Sequence, residues 1–197
     1  MSQDRIAAHF ESSLDGLTKA VRSNDLLATT HTIAHAVTNA LKAGNKLLLI
    51  GNGGSAADAQ HIAAEIVGRY KQERPGWAAI ALTTDTSALT AIANDYGFEQ
   101  VFARQVQGLA RRGDVLFALT TSGRSPNILA ALKTAHDIGV TTVGFTGTKG
   151  ESMRAACDHL FVAPTDDTPV VQQVHMMAMH AICDDVEQAL IGATKTP

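Results

Sequence analysis

Aromatic side chains are only 5% of the 197 residues, with a single tryptophan, Trp77. Stacking platforms for bases and broad aromatic faces for sugars are therefore poorly supplied. A basic excess is missing too. Sixteen Lys and Arg stand against 19 Asp and Glu, for a net charge of −3, which leaves no global positive field to hold nucleic acid. No apolar run approaches the roughly 18 to 20 residues that span a bilayer. The opening Met1-Ser2-Gln3-Asp4-Arg5-Ile6 has no apolar signal-peptide core behind it. A cytoplasmic protein with neither a membrane nor a nucleic-acid partner is the expectation. Cysteine is almost absent: Cys157 and Cys183 share no C-x-x-C spacing, which suits buried thiols in a reducing compartment rather than a disulfide framework. Recognition is left to polar groups acting on a small ligand.

What is present is a regular alternation. Ile6, Phe10, Leu14, Leu17 and Val21, then Leu26, Leu27, Ile33, Val37 and Leu41, repeat at helical spacing around a break at Ser23-Asn24-Asp25, predicting two helices before any strand. Gly44 closes the second helix as a left-handed cap. Lys46 to Ile50, Ala78 to Leu82, Val115 to Leu119, Val140 to Phe145 and Leu160 to Ala163 read as strands, the first a continuous apolar run that must be covered on both faces, as in a parallel sheet. Thr168 and Pro169 open a final helix that runs to about Leu190. The expectation is one domain over residues 1–197, with helices in 1–43 and an α/β core in 44–197. Its architecture is a three-layer α/β/α sandwich around a five-stranded parallel sheet.

Ligands of such sheets bind beyond the carboxyl ends of the strands, which directs attention to 51–55, 83–87, 120–125 and 146–150. Gly51-Asn52-Gly53-Gly54-Ser55 leads into a helix predicted over Ala56–Tyr70, with Ser55 and Asp58 spaced as a capping pair. Its glycines allow close backbone approach, and the helix start offers free N–H groups to an anion. Thr120-Thr121-Ser122-Gly123-Arg124-Ser125 precedes Pro126, the opening of another helix. Any one of these hydroxyls reads as a turn residue or cap, but Thr120, Thr121, Ser122 and Ser125 together make a phosphate cup. A dinucleotide site is formally allowed by G-x-G-x-x-A at Gly51, Gly53 and Ala56, yet the acidic residue expected about 20 positions on, at the end of the second strand, has its nearest candidate there in Asp85, 29 positions past Ala56. No Gly-Lys-Ser/Thr makes the loop a nucleotide P-loop.

Downstream of the first loop, His61 and Glu65 stand at i and i+4, on one helix face. On the final helix Gln172 and His180 share a stripe, with His175 three residues past Gln172. Taken singly, each histidine reads as a hydrogen-bonded helix residue. If the two helices meet, His61, Glu65, Gln172 and His180 supply two imidazoles, a carboxylate and an amide, a set suited to zinc or a similar divalent ion. His9, His31, His35, His136 and His159 read as surface or packing residues.

Five collinear stretches carry a more specific signal: Gly51-Asn52-Gly53-Gly54-Ser55-Ala56-Ala57-Asp58-Ala59-Gln60-His61, Ala81-Leu82-Thr83-Thr84-Asp85-Thr86-Ser87, Ala93-Asn94-Asp95-Tyr96-Gly97, Thr121-Ser122-Gly123-Arg124-Ser125-Pro126-Asn127, and Gln172 to His180. Over nearly the full chain they resemble the sugar isomerase (SIS) domain family and, within it, the bacterial phosphoheptose isomerases. The resemblance implies a flavodoxin-like sheet and a cytoplasmic homotetramer with sites near subunit contacts. It also implies conversion of sedoheptulose 7-phosphate to D-glycero-D-manno-heptose 7-phosphate through an enediol, the first step toward ADP- and GDP-heptose precursors and the heptose of lipopolysaccharide. On that resemblance Asn52, Gly53, Gly54, Glu65, Asn94, Asp95 and Gln172 contact the sugar, and Thr120, Thr121, Ser122 and Ser125 hold the phosphate. His61, Glu65, Gln172 and His180 bind one zinc ion per subunit, with Glu65 the proton-shuttling base and His180 the acid at the carbonyl or ring oxygen.

Many members have Ser-Thr where this chain has Thr120-Thr121, and Lys or Asn where it has Arg124. The first change keeps the hydroxyl, and the second adds charge near the phosphate. Non-catalytic relatives that bind the replication initiator protein share the glycine loop but tend to lack the carboxylate of Glu65 and the imidazole of His180. Both groups are present here.

Overall fold

The computed structural model describes residues 4–194. The chain runs α1 (Arg5–Val21), α2 (Asn24–Lys42), β1 (Leu47–Gly51), α3 (Gly54–Val67), β2 (Ala79–Ala81), α4 (Thr86–Tyr96), α5 (Val101–Leu109), β3 (Val115–Leu119), α6 (Pro126–Ile138), β4 (Thr141–Gly147), β5 (His159–Ala163) and α7 (Thr168–Thr194). All five strands pair in parallel in the order β2-β1-β3-β4-β5. This is the flavodoxin-like arrangement, whose topological switch falls between β1 and β3.

The strand sequences explain the layering. Leu47 and Leu49 of β1, Phe117 of β3 and Phe145 of β4 face one side, where Ile33 and Val37 of α2, Ile62 and Ile66 of α3, and Val174 and Ile182 of α7 cover them. Leu48, Ile50, Leu116 and Ala118 face the other, under Val101 and Val106 of α5 and Ile128 and Leu132 of α6. Successive strand residues point to opposite faces, so a sheet buried on both sides needs apolar residues at every position.

Several boundaries differ from those read in the sequence. α3 ends at Val67 rather than Tyr70, because Arg74 takes the carbonyls of Glu65, Ile66 and Gly68 and the chain leaves the helix to reach it. α7 continues past Leu190 to Thr194. Gly44 has φ +80, the left-handed value expected of it. α1 departs most: Gly16 and Ala20 are its buried residues, while Ile6, Phe10 and Leu14 are 71%, 69% and 67% exposed. Its apolar stripe faces away from its own chain. Among the described residues no helix is long and apolar enough to cross a membrane.

Candidate active site

At the end of β1 the backbone turns through Gly53, whose φ of 55° and ψ of −122° suit only glycine, and α3 begins at Gly54 without a side-chain cap. The expected Ser55–Asp58 capping pair does not form. The early helix start puts Ser55 inside the first turn, where its buried hydroxyl accepts from Gln172 Nε2 at 3.4 Å. Asp58 has a buried carboxylate oxygen, Oδ2, with no hydrogen-bond partner. Burial pushes its pKa up to about 6 against the opposing pull of His61. A Cβ on Gly54 would lie 2.6 Å from the Gln172 amide nitrogen, so glycine is what lets α7 approach here.

The loop after β3 is tied to its neighbour before it reaches solvent. Thr120 N–H donates to Phe145 O at 3.0 Å, and Gly147 N–H donates to Thr121 O at 3.1 Å. Gly123, at φ +65°, lies against Gly150, whose Cα a Cβ there would meet at 2.5 Å. The hydroxyls then gather. Thr120 Oγ1 and Ser125 Oγ are 3.1 Å apart, and Ser122 Oγ accepts from Arg124 N–H at 3.3 Å. Ser125 flanks the start of α6 with no side-chain cap bond. Its hydroxyl is turned to Thr120 instead, within the expected phosphate cup.

α3 and α7 run side by side in the same direction, and one turn-and-a-half beyond Ser55 they bring three ligating groups together. His61 Nε2 lies 3.1 Å from His180 Nε2 and 3.1 Å from Glu65 Oε1. The three donor atoms all fall within 4.8 Å of one another and could hold a metal ion. His61 is half-exposed and Glu65 more covered, so the cluster opens to solvent on one side. Gln172 sits eight residues before His180, roughly 12 Å along a helix, and its amide is engaged with Ser55 rather than with the cluster.

Four residues outside the expected set shape this site. Tyr70 stacks on His180, ring centroids 5.7 Å apart and planes at 23°. The segment that carries Tyr70 hangs on Glu187 of α7, whose carboxylate accepts from the N–H groups of Tyr70, Lys71 and Gln72 at 2.8–2.9 Å and from Arg74 Nε at 3.0 Å. On the other flank Asn127 pairs with Asn52 through two side-chain amide bonds. These partners lie from 75 to 117 positions apart, so spacing along the chain carries no trace of them. Only an ionisable Glu187 on the same helix face as Cys183 and Leu190 hints that its charge is buried.

Asn94 and Asp95 occupy the exposed last turn of α4, where Asn94 donates to Asp95 at 2.8 Å. That turn leads through Gly97 to Phe98 and Glu99, which line a cavity of about 350 Å³ with Asn52, Ser125, Pro126 and Asn127. Asp85, at the end of the 83–87 loop, caps α4 by accepting from Ala88 N–H at 2.9 Å. His31 and His35 are exposed on α2. His175 is fully buried, its Nε2 3.1 Å from Thr146 O. A roomier hollow of about 460 Å³ is lined by Leu129, Lys133 and His136 of α6 and by Cys157 and Asp158 ahead of β5, and none of the expected site residues lines it.

A family model described as SIS domain matches residues 9–147, and the chain belongs to that family. The curated relatives narrow the class. A phosphoheptose isomerase from a Bradyrhizobium strain is 60% identical over 190 residues, 96% of each chain. Phosphoheptose isomerase from Burkholderia mallei is 54% identical over 167 residues, 85% of each. Among solved structures, phosphoheptose isomerase GmhA from Neisseria gonorrhoeae superposes with a TM-score of 0.88 at 42% identity, covering 95% of this chain and 100% of that one.

Proposed function

We propose that this protein is a phosphoheptose isomerase that converts sedoheptulose 7-phosphate to D-glycero-D-manno-heptose 7-phosphate. The observation that carries the reading is the convergence of Glu65 and His180 on His61 in an open cluster, beside two loops suited to a phosphorylated sugar. The phosphate is held by Thr120, Thr121, Ser122 and Ser125. The open-chain sugar runs along Asn52, Gly53 and Gly54 toward the cluster, with Asn94, Asp95 and Gln172 at its borders.

Glu65 takes a proton from C1 of the ketose, the electron pair forms the C1–C2 double bond of an enediol, and Glu65 returns the proton to C2. His180 donates a proton to the C2 carbonyl oxygen as the enediol forms and takes the proton of the C1 hydroxyl as C2 is protonated, which leaves the aldehyde at C1 and returns both groups to their starting states. Stacked Tyr70 holds the plane of that imidazole.

Zinc fits the donor set. Ligands 2.0–2.1 Å from a tetrahedral ion lie about 3.3 Å apart, and the His61–His180 and His61–Glu65 separations are both 3.1 Å. His61, Glu65 and His180 would hold it, with Gln172 the fourth member of the set through the amide oxygen that its bond to Ser55 leaves free. The bound ion would act as a Lewis acid on the substrate oxygens.

The exposed Ile6, Phe10 and Leu14 stripe supports assembly into a homotetramer, since contiguous exposed apolar patches mark contact surfaces. A cytoplasmic location and a product destined for ADP- or GDP-heptose and lipopolysaccharide complete the reading. Purified protein incubated with sedoheptulose 7-phosphate, with and without added zinc, and followed by NMR is expected to yield the aldose. A folded protein with no turnover in either condition would overturn it.

A further inference from the structure

Asn52 and Asn127 face each other between the loop that follows β1 and the first turn of α6. Asn52 Nδ2 donates to Asn127 Oδ1 at 3.0 Å, and Asn127 Nδ2 donates to Asn52 Oδ1 at 2.9 Å. Two antiparallel bonds between planar amides fix separation and orientation together, where a single bond would leave a hinge. Each amide spends one N–H and one oxygen on the other and keeps a second N–H. The two residues differ in access: Asn127 is 2% exposed, whereas Asn52 is half-buried beside the 350 Å³ cavity.

The location gives the pair its importance. Asn127 lies two residues past Ser125, whose hydroxyl is joined to Thr120, so it is rigidly attached to the hydroxyl-rich loop. Asn52 opens the glycine turn, and three residues later Ser55 meets Gln172 of α7. The amide pair is thus a tie between the two loops on their cavity side.

We propose that Asn127 is a positioning residue that sets the reach between the phosphate-holding loop and the glycine loop, and so selects the carbon-chain length of the sugar phosphate. This rests on the function proposed above. A phosphate anchored at one end and a carbonyl that must arrive at Glu65 at the other leave only the intervening carbons to adjust. Displacing an anchor by about 1 Å can cost 10²-fold in rate. Asn127 needs no substrate contact to exert this control.

The test uses Asn127→Asp, which keeps the shape but sets a second acceptor against Asn52 Oδ1, and Asn127→Ala, which removes the tie without repulsion. Measured for each are kcat and KM with sedoheptulose 7-phosphate and with a six-carbon ketose 6-phosphate, and inhibition by inorganic phosphate. The expected result is a fall of about 10- to 100-fold in kcat/KM for the seven-carbon substrate, with inorganic phosphate inhibition unchanged because the cup keeps its own hydroxyls. Preference for seven over six carbons is expected to narrow, and Asn52→Ala/Asn127→Ala should lose no more than Asn52→Ala alone. An unchanged seven-to-six ratio in the folded variants, or an equal loss of phosphate inhibition, overturns the proposal. Should the wild type prove inactive, the proposed function fails. Calorimetric titration with the same two sugar phosphates then decides on Asn127: discrimination present in the wild type and lost in Asn127→Asp supports it, and any other pattern sinks it.

Discussion

Glu187 and Arg74 meet at 3.0 Å with side chains 0% and 3% exposed, and the guanidinium also lies 3.7 Å from the ring centroid of Trp77. Removing one partner of a buried pair strands the other's charge. Glu187→Gln is expected to cost about 3–5 kcal/mol in chemical denaturation. Burial by itself would raise the Glu187 pKa, but the N–H groups of residues 70–72 and Arg74 hold it below the ordinary carboxylate range. Its contribution is therefore complete above the unfolded carboxylate pKa and is lost as pH falls through the lower folded value. A denaturation series in acid should show that loss in the wild type and not in the variant.

Glu65→Gln keeps the size and hydrogen-bonding reach of the side chain while removing its basicity. Turnover is expected to fall by at least about 10²-fold, with sugar-phosphate binding retained in calorimetry. Activity that survives the change would move the proton transfer to Asp95 or Asp85.

Elemental analysis of protein purified without chelators should find a divalent ion. His61→Ala removes the ligand common to both short separations of the cluster and is expected to lose that ion. A variant with full metal content would refute the ligand set.

His175 titrates in the opposite chemical sense from Glu187 but destabilises in the same direction. Burial lowers its pKa to about 4, against a weaker opposing effect of its bond to Thr146. Between the ordinary histidine pKa and that value the unfolded chain binds a proton that the folded chain refuses. Stability should thus fall with decreasing pH by up to about 1.4 kcal/mol per pH unit. His175→Leu should flatten this slope in urea midpoints taken from pH 7 to 5. An equally steep slope in the variant would assign the loss elsewhere.

Phe10 and Leu14 are 69% and 67% exposed on one face of α1. Replacing both with Asp is expected to lower the mass found by sedimentation without lowering the helical content. Unchanged mass would place the subunit contacts on another face.

The sheet was legible because both its faces are buried: apolar runs such as Val115–Leu119 can be nothing but covered strands, and Gly44 marks the turn into the first of them. The phosphate-side hydroxyls were legible as a local cluster, and His61 with Glu65 as a helical pair. What escaped was long-range. Ser55 looked like a cap because its neighbours fit the pattern, yet the positive φ of Gly53 moved the helix start and gave the hydroxyl to Gln172. Tyr70 reads as helical, but Arg74 takes the carbonyls that end α3 and Glu187, 117 residues away, takes the Tyr70 N–H. The Asn52–Asn127 pairing has no local signature at all.

The glycine turn is fastened on both flanks, to α6 through Asn127 and to α7 through Gln172. Glycine-rich segments lose the most freedom when they order, and a ligand that orders one does so at the expense of its own affinity. Here that ordering is completed when the chain folds. Substrate should meet a finished surface, with association rates governed by diffusion and desolvation rather than by closure of this loop.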